Sequence, residues 1–189
     1  MNISLLRLQY LVPSLSGSPE EIAERLREKE ITVSRTVPLR ELLQAVVVGR
    51  VDSVTQHPNA DRLKVCAVSD GGEATLQIVT GATNVEAGRL YPLIRSGTTL
   101  PNGVKIKKGK LRGEVSEGML GSADELELGT DHAGLLTLPS GLAPGTPLPE
   151  AIDTPGTVFI IDGATTEEDV VRALGGTVTE PETPAEGAA

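Results

Sequence analysis

The chain has 189 residues, a net charge of −9 and 39% hydrophobic residues, a balance typical of a globular protein rather than a disordered one. No apolar run approaches the roughly 18 residues needed to cross a bilayer, so no membrane association is expected. One cysteine and two histidines argue against a disulfide framework and a zinc site, and we predict no metal or other cofactor.

The first forty residues predict a strand, a helix and a second strand. Residues 3–12 (ISLLRLQYLV) indicate a short strand or a strand that opens into a helix. Ser18 is a good N-cap, Pro19 suits the first helical position and Glu21 completes a capping box. The segment ITVSRTV then predicts a strand that ends at Pro38.

The middle of the chain, residues 44–121, predicts about five short strands with glycine at the corners. The strand candidates are QAVVVGRVDSVTQ, RLKVCAVSD, EATLQIVTG and RLYPLIRSG, followed by the lysine-rich segment and VSEGMLGSADEL. Asp70, Gly71 and Gly72 form a strong hairpin signal between the second and third candidates. This pattern indicates a small antiparallel barrel of the OB type.

The C-terminal part predicts another strand (TVFIID) and a helix (TTEEDVVRALGG). We therefore expect a mostly β protein with α+β flanks, in which a five-stranded OB-type barrel is inserted in a small discontinuous α/β domain. The predicted bounds are 1–40 plus 152–181 for the α/β domain and 41–151 for the OB domain. Residues 182–189 are predicted to form an acidic disordered tail.

Charge is distributed unevenly along the chain. Residues 1–43 have no net charge, residues 44–121 carry +3 and residues 122–189 carry −12. Five of the eight positions in KIKKGKLR, which we call the basic stretch (residues 105–112), are cationic: Lys105, Lys107, Lys108, Lys110 and Arg112. Such asymmetry suggests a surface that binds a polyanion.

The basic stretch has a pattern typical of a strand. Lys105 and Lys107 alternate with Val104 and Ile106, so the lysines would share one face. An equally weighted alternative is a solvated strand or loop whose charges keep a sheet edge from aggregating.

Three stretches occur in a specific order: HPNADRLKVC (57–66), QIVTGATNV (77–85) and KIKKGKLRGEVSEGML (105–120). Together they resemble the tRNA-binding OB domain found near the start of bacterial phenylalanyl-tRNA synthetase β subunits, in methionyl-tRNA synthetase extensions and in free-standing tRNA-binding proteins. The resemblance is strong over residues 44–150 and weaker at both ends. The chain stops before any editing or catalytic-like domain, so we expect a free-standing relative.

The resemblance implies a non-catalytic protein that binds folded RNA through a basic OB surface. The candidate RNA-binding residues are His57, Asn59, Arg62, Lys64, Lys105, Lys107, Lys108, Lys110, Arg112 and Ser116. For Asn59 an alternative is favoured, in which Pro58, Asn59 and Asp61 close a loop. Tyr91 is the single aromatic residue of the barrel region, which favours recognition of RNA shape and backbone over base stacking.

No nucleophile–base set can be assembled from two histidines, so the chain is not expected to be an enzyme. The alternative function is a protein-interaction or accessory module that associates with a synthetase without strong RNA binding. The expected partners are a tRNA of unspecified isoacceptor and an aminoacyl-tRNA synthetase, and homodimerisation is left open. A cytoplasmic location is expected, because the N-terminus lacks the features of a signal peptide.

Overall fold

The computed structural model describes residues 1–178 of the chain, so the predicted tail at 182–189 lies outside the described residues. The first elements are β1 (Asn2–Ser4), α1 (Leu5–Leu11), α2 (Pro19–Glu28), β2 (Val33–Pro38) and α3 (Leu39–Leu42). They are followed by β3 (Val47–Gln56), β4 (Lys64–Ser69), β5 (Thr75–Thr80), β6 (Leu90–Arg95), β7 (Gly109–Leu111), β8 (Glu114–Ser116) and β9 (Gly118–Leu120). The last elements are α4 (Leu148–Ala151), β10 (Thr157–Ile161) and α5 (Glu167–Ala173). Within residues 1–178, every helix is too short or too polar to cross a membrane.

Strands from both ends of the chain form one sheet. The central strand β10 pairs antiparallel with β1 on one side and β2 on the other. Helices α1, α2 and α5 bury apolar side chains in one cluster with Phe159 of β10: Leu8, Ile22, Leu26 and Val170. The discontinuous α/β arrangement is therefore present, while the exact domain bounds stay a prediction.

Helix α2 begins as its capping signal predicts. The Ser18 hydroxyl accepts from the Glu21 N–H (3.2 Å), and the Glu21 carboxylate accepts from the Ser18 N–H (2.8 Å). These two bonds satisfy donors that the first helical turn leaves free. The helix then buries Ile22, Ala23 and Leu26 on one face, as its apolar spacing predicts.

The middle of the chain forms a five-stranded antiparallel sheet with the order β5-β4-β3-β6-β9. Its two outer strands are brought together by the segment that precedes β9. The Val79 N–H donates to the Ser116 hydroxyl (3.0 Å), and the Glu117 N–H donates to the Gln77 carbonyl (2.9 Å). The sheet is thereby nearly closed into an OB-type barrel, with the fully buried Tyr91 in its core.

The basic stretch is not the continuous strand that its alternation predicts. Lys105 makes one isolated bridge with Thr99, and ladder pairing begins only at Gly109. The backbone of Ile106 is held instead by the Gly97 N–H (2.7 Å) and the Thr98 carbonyl (2.8 Å). Of the two forms that the sequence left open, residues 105–108 therefore adopt the loop and not the strand, because these bonds occupy the backbone groups that a sheet ladder needs.

After this anchored segment, β7 and β8 form a hairpin. Its turn is Arg112-Gly113, and both residues have positive φ, 52° and 95°. A two-residue turn with two positive φ values matches the right-handed twist of the flanking strands. The second half of the basic stretch is therefore carried on a hairpin between β6 and β9.

The barrel and the terminal sheet meet through specific bonds. The Asn2 amide donates to the Pro101 carbonyl (3.0 Å), and the Ser4 hydroxyl donates to the Glu127 carboxylate (2.5 Å). Burial raises the pKa of Glu127, and the Ser4 bond offsets part of that shift. Val158 packs on the barrel side, so β10 contacts both units.

Candidate nucleic-acid interface

Two loops emerge where the barrel strands end. The first is the 57–63 loop, which joins β3 to β4. The second joins β6 to β9 and contains the basic stretch and the β7–β8 hairpin. In a five-stranded OB barrel these are the connections between strands one and two and between strands four and five, the loops that bind oligonucleotides. The fold therefore places much of the first and third sequence motifs in these two loops.

His57 ties these two loops together. Its side chain is 3% exposed, its Nδ1 accepts from the Asn59 N–H (3.0 Å), and its Nε2 lies 2.8 Å from the Leu111 carbonyl oxygen. Because Nδ1 accepts, the proton is assigned to Nε2, which donates to that carbonyl. His57 thus positions the hairpin against the 57–63 loop and is not itself available to contact RNA in this conformation.

Gln56 holds the 57–63 loop through its side chain, which is exposed to solvent. Its side-chain amide donates to the carbonyl oxygens of Ala60 (3.0 Å), Asp61 (3.1 Å) and Leu63 (3.1 Å). The His57 N–H also donates to the Leu63 carbonyl (3.1 Å). Gln56 is not among the predicted site residues, although a side-chain amide next to a turn signature was the available signal.

We use the name basic surface for the seven cations of the two loops and the start of β4: Arg62, Lys64, Lys105, Lys107, Lys108, Lys110 and Arg112. All are exposed except Lys64, which is half-buried at the start of β4. Lys108 lies 3.5 Å from the Glu117 carboxylate. Among residues 1–178, the other six have no carboxylate within ion-pair distance.

Glu117 keeps its negative charge beside Lys108. The Gln77 N–H donates to its carboxylate (2.9 Å), and this bond, with a smaller contribution from Lys108, lowers the pKa of Glu117. Lys108 is thus partly neutralised, which makes it a weaker candidate for phosphate contact than its neighbours.

Three other barrel acids form ion pairs with arginines outside the basic surface. The ion pairs are Arg50–Asp52 (2.7 Å), Arg89–Glu86 (2.7 Å) and Arg95–Asp70 (2.9 Å). Residues 122–178 of the strongly acidic part make no ion pair with the basic surface. Six of the seven cations therefore have no ion pair within the described residues, and the two loops also carry the carboxylates of Asp61 and Glu114.

Ser116 and Asn59 occupy different environments. Ser116 is 6% exposed, and its hydroxyl accepts from the Val79 N–H and donates to the Gly118 carbonyl (2.9 Å). It therefore closes the barrel and has no free group to offer to RNA. Asn59 is exposed beside the hairpin, so the loop-closing role and a ligand contact are both compatible with its position.

Replacing His57 with alanine is expected to destabilise the protein by about 2 kcal/mol, because two buried hydrogen bonds lose their partner. RNA affinity should also fall while its salt dependence stays unchanged, because no surface charge is removed. Thermal unfolding and filter binding measure the two effects. The matched control is His132→Ala, since His132 is exposed. Equal unfolding temperatures for His57→Ala and the wild type would contradict the positioning role.

Comparison with known proteins identifies relatives of this region. A family model described as "Putative tRNA binding domain" matches residues 46–147. The phenylalanine–tRNA ligase beta subunit of Bordetella pertussis is 46% identical over 168 residues, which cover 89% of this chain and 21% of that subunit. The same subunit of Syntrophus aciditrophicus is 38% identical over 175 residues, covering 93% and 22%. The chain spans about a fifth of the length of these relatives.

Two solved structures are similar to part of the chain. The C-terminal domain of Plasmodium vivax p43 has a TM-score of 0.39 and 23% identity, covering 55% of this chain and 59% of that one. A MetRS related protein from Pyrococcus horikoshii has a TM-score of 0.37 and 20% identity, covering 53% and 85%. The family model covers more than half of the chain, and the three sequence motifs lie within its match. The chain belongs to the tRNA-binding domain family.

Proposed function

We propose that this protein is a non-catalytic tRNA-binding protein that holds folded RNA through the basic surface of its OB barrel. The observation that carries this proposal is the surplus of unpaired cations on the two loops of a barrel that belongs to the tRNA-binding domain family. Each cation that neutralises a phosphate releases condensed counterions, and this release drives association.

The aromatic content of the barrel supports recognition of the RNA backbone. Tyr91 is fully buried, its hydroxyl donates to the Asn84 carbonyl (2.7 Å) and it accepts from the Glu86 N–H (3.0 Å). Neither face of its ring is accessible to a base. Proteins that capture single strands through OB barrels use exposed aromatic platforms. The available contacts here favour a structured RNA, read through its phosphates and its shape.

A second candidate function is an accessory module that docks on a synthetase. Tyr10 on α1 is 60% exposed, and Leu6 and Val178 are also exposed apolar residues of the terminal sheet unit. Tyr10 and Val178 line one cavity with Arg7 and Glu167, whose side chains form an ion pair (3.1 Å). An apolar patch with a polar rim is typical of a protein contact, and the relatives are subunits of a tRNA ligase.

Filter binding of mixed tRNA over a salt series tests the proposal. If all six unpaired cations contact phosphates, a plot of the logarithm of the association constant against the logarithm of the salt concentration should have a slope of about −5. Absence of binding at low salt would overturn RNA binding as the function. Pull-down of synthetase subunits without RNA would instead favour the accessory role. Homodimerisation stays a prediction that gel filtration of the same sample would address.

A further inference from the structure

A shallow cavity of about 480 Å³ lies where the 57–63 loop meets the β7–β8 hairpin. We call it the loop notch. It is lined by Asn59, Ala60, Asp61, Arg62, Leu63 and Arg112. Its volume lies in the range of sites that hold small organic ligands. Neither the family match nor the charge of the basic surface explains why a cavity is present at this junction.

The loop notch is preformed. One wall is the 57–63 loop, whose carbonyl groups are held by the Gln56 amide, and the other wall is the hairpin, which is held by the bond from His57 to the Leu111 carbonyl. The hairpin turn places Arg112 at positive φ (52°) opposite the loop. A site held by bonds of this kind loses little conformational entropy when a ligand binds.

The chemistry of the lining suits a nucleobase better than a phosphate. Leu63 and Ala60 supply apolar contact, and the Arg62 and Arg112 guanidinium groups are planar and can stack on an aromatic ring. The Asp61 carboxylate is an acceptor that repels phosphate but accepts from the N–H groups of a base edge. Among residues 1–178, the Asn59 side-chain amide has no hydrogen-bond partner, so it is free to read a base edge.

We propose that the loop notch binds the base of a single unpaired nucleotide in a folded RNA, stacked on an arginine plane. The phosphates on either side of that nucleotide lie on the surrounding basic surface. This inference rests on the proposed RNA-binding function and adds a preference for an unpaired nucleotide. Arginine takes the stacking role because Tyr91 is buried.

The test compares two RNA hairpins that differ by one bulged nucleotide in the stem. Fluorescence anisotropy at fixed salt should show that the wild type binds the bulged hairpin about tenfold more tightly, since one stacked base commonly contributes an effect of this size. The variant with Arg62→Lys and Arg112→Lys keeps both charges but loses both guanidinium planes. It should bind the two hairpins equally, because its affinity for the bulged hairpin falls by about tenfold relative to its affinity for the fully paired one. Circular dichroism checks that the variant is folded.

The matched control exchanges charge type outside the notch. Arg35→Lys with Arg40→Lys makes the same exchange at two exposed arginines that belong neither to the cavity lining nor to the basic surface, and the preference for the bulge should stay about tenfold. If the wild type binds both hairpins equally, the notch inference is overturned and the proposed function stands. If it binds neither hairpin nor tRNA at low salt, both fail. A preference for the bulge that survives the double Arg→Lys change would overturn the assignment to the loop notch.

Discussion

Changing Lys105, Lys107 and Lys110 together to glutamine is expected to weaken tRNA binding by about a hundredfold or more at roughly 0.1 M salt. Each phosphate contact contributes nearly a factor of ten at that concentration, because affinity scales with salt to a power set by the number of contacts. The slope of log affinity against log salt should become shallower by roughly 3. Lys108 is left unchanged because it neutralises Glu117. Filter binding across the salt series measures both quantities.

The control for this variant removes the same charge from the terminal sheet unit. Lys29, Arg35 and Arg40 are exposed and have no ion pair among residues 1–178. Their joint change to glutamine alters the net charge equally but leaves the basic surface intact. We expect this control to keep the salt slope of the wild type. Equal losses in both triple variants would mean that overall charge, and not the basic surface, governs binding.

Gly118→Ala is expected to destabilise the fold by about 3 kcal/mol or more, a large fraction of the stability of a typical domain. A Cβ atom at position 118 would lie 2.3 Å from the Ile94 carbonyl oxygen and 3.1 Å from the Arg95 Cα, and both are backbone atoms that cannot move aside. Gly118 begins β9 and pairs with Arg95 of β6, so the clash would separate the strands near the barrel closure. Urea denaturation, monitored by circular dichroism, measures the change in the free energy of unfolding.

Gly109→Ala is the matched control, because a Cβ atom at position 109 would have no neighbour within 4 Å. Its unfolding midpoint should match that of the wild type. If Gly118→Ala unfolds at the same urea concentration as Gly109→Ala, the close approach of β9 to β6 is not a constraint on this fold.

The elements that were predicted correctly depend on neighbours in the chain. The capping box of α2 lies within four residues, the turn after β4 is signalled by Asp70-Gly71-Gly72, and the barrel strands follow from alternating apolar residues. The barrel class and the discontinuous terminal sheet follow from the order of such elements. Local patterns therefore account for the fold class and for the position of the basic stretch between two strands.

The basic stretch shows where local patterns fail. Its alternation is that of a strand, but the Ile106 backbone bonds to Gly97 and Thr98 and is not available to a ladder. Period-two patterning indicates which side chains can share a face, yet it does not identify the groups to which the backbone bonds. The same positive charges are consequently presented on a loop and a hairpin turn.

Local sequence patterns also did not indicate which polar side chains are accessible to a ligand. His57 and Ser116 have the residue types of a binding site, but they are buried by segments far away in the sequence, Leu111 for one and Val79 for the other. Gln56 and the loop notch have no signature of their own. The amino-acid sequence by itself determines the strands, the helix caps, the charge distribution and the family motifs, because these depend on neighbouring residues. Only tertiary packing decides which cations face solvent, which polar groups are buried and where two loops enclose a cavity, because those properties arise between residues such as His57 and Leu111 or Val79 and Ser116, which are 54 and 37 positions apart.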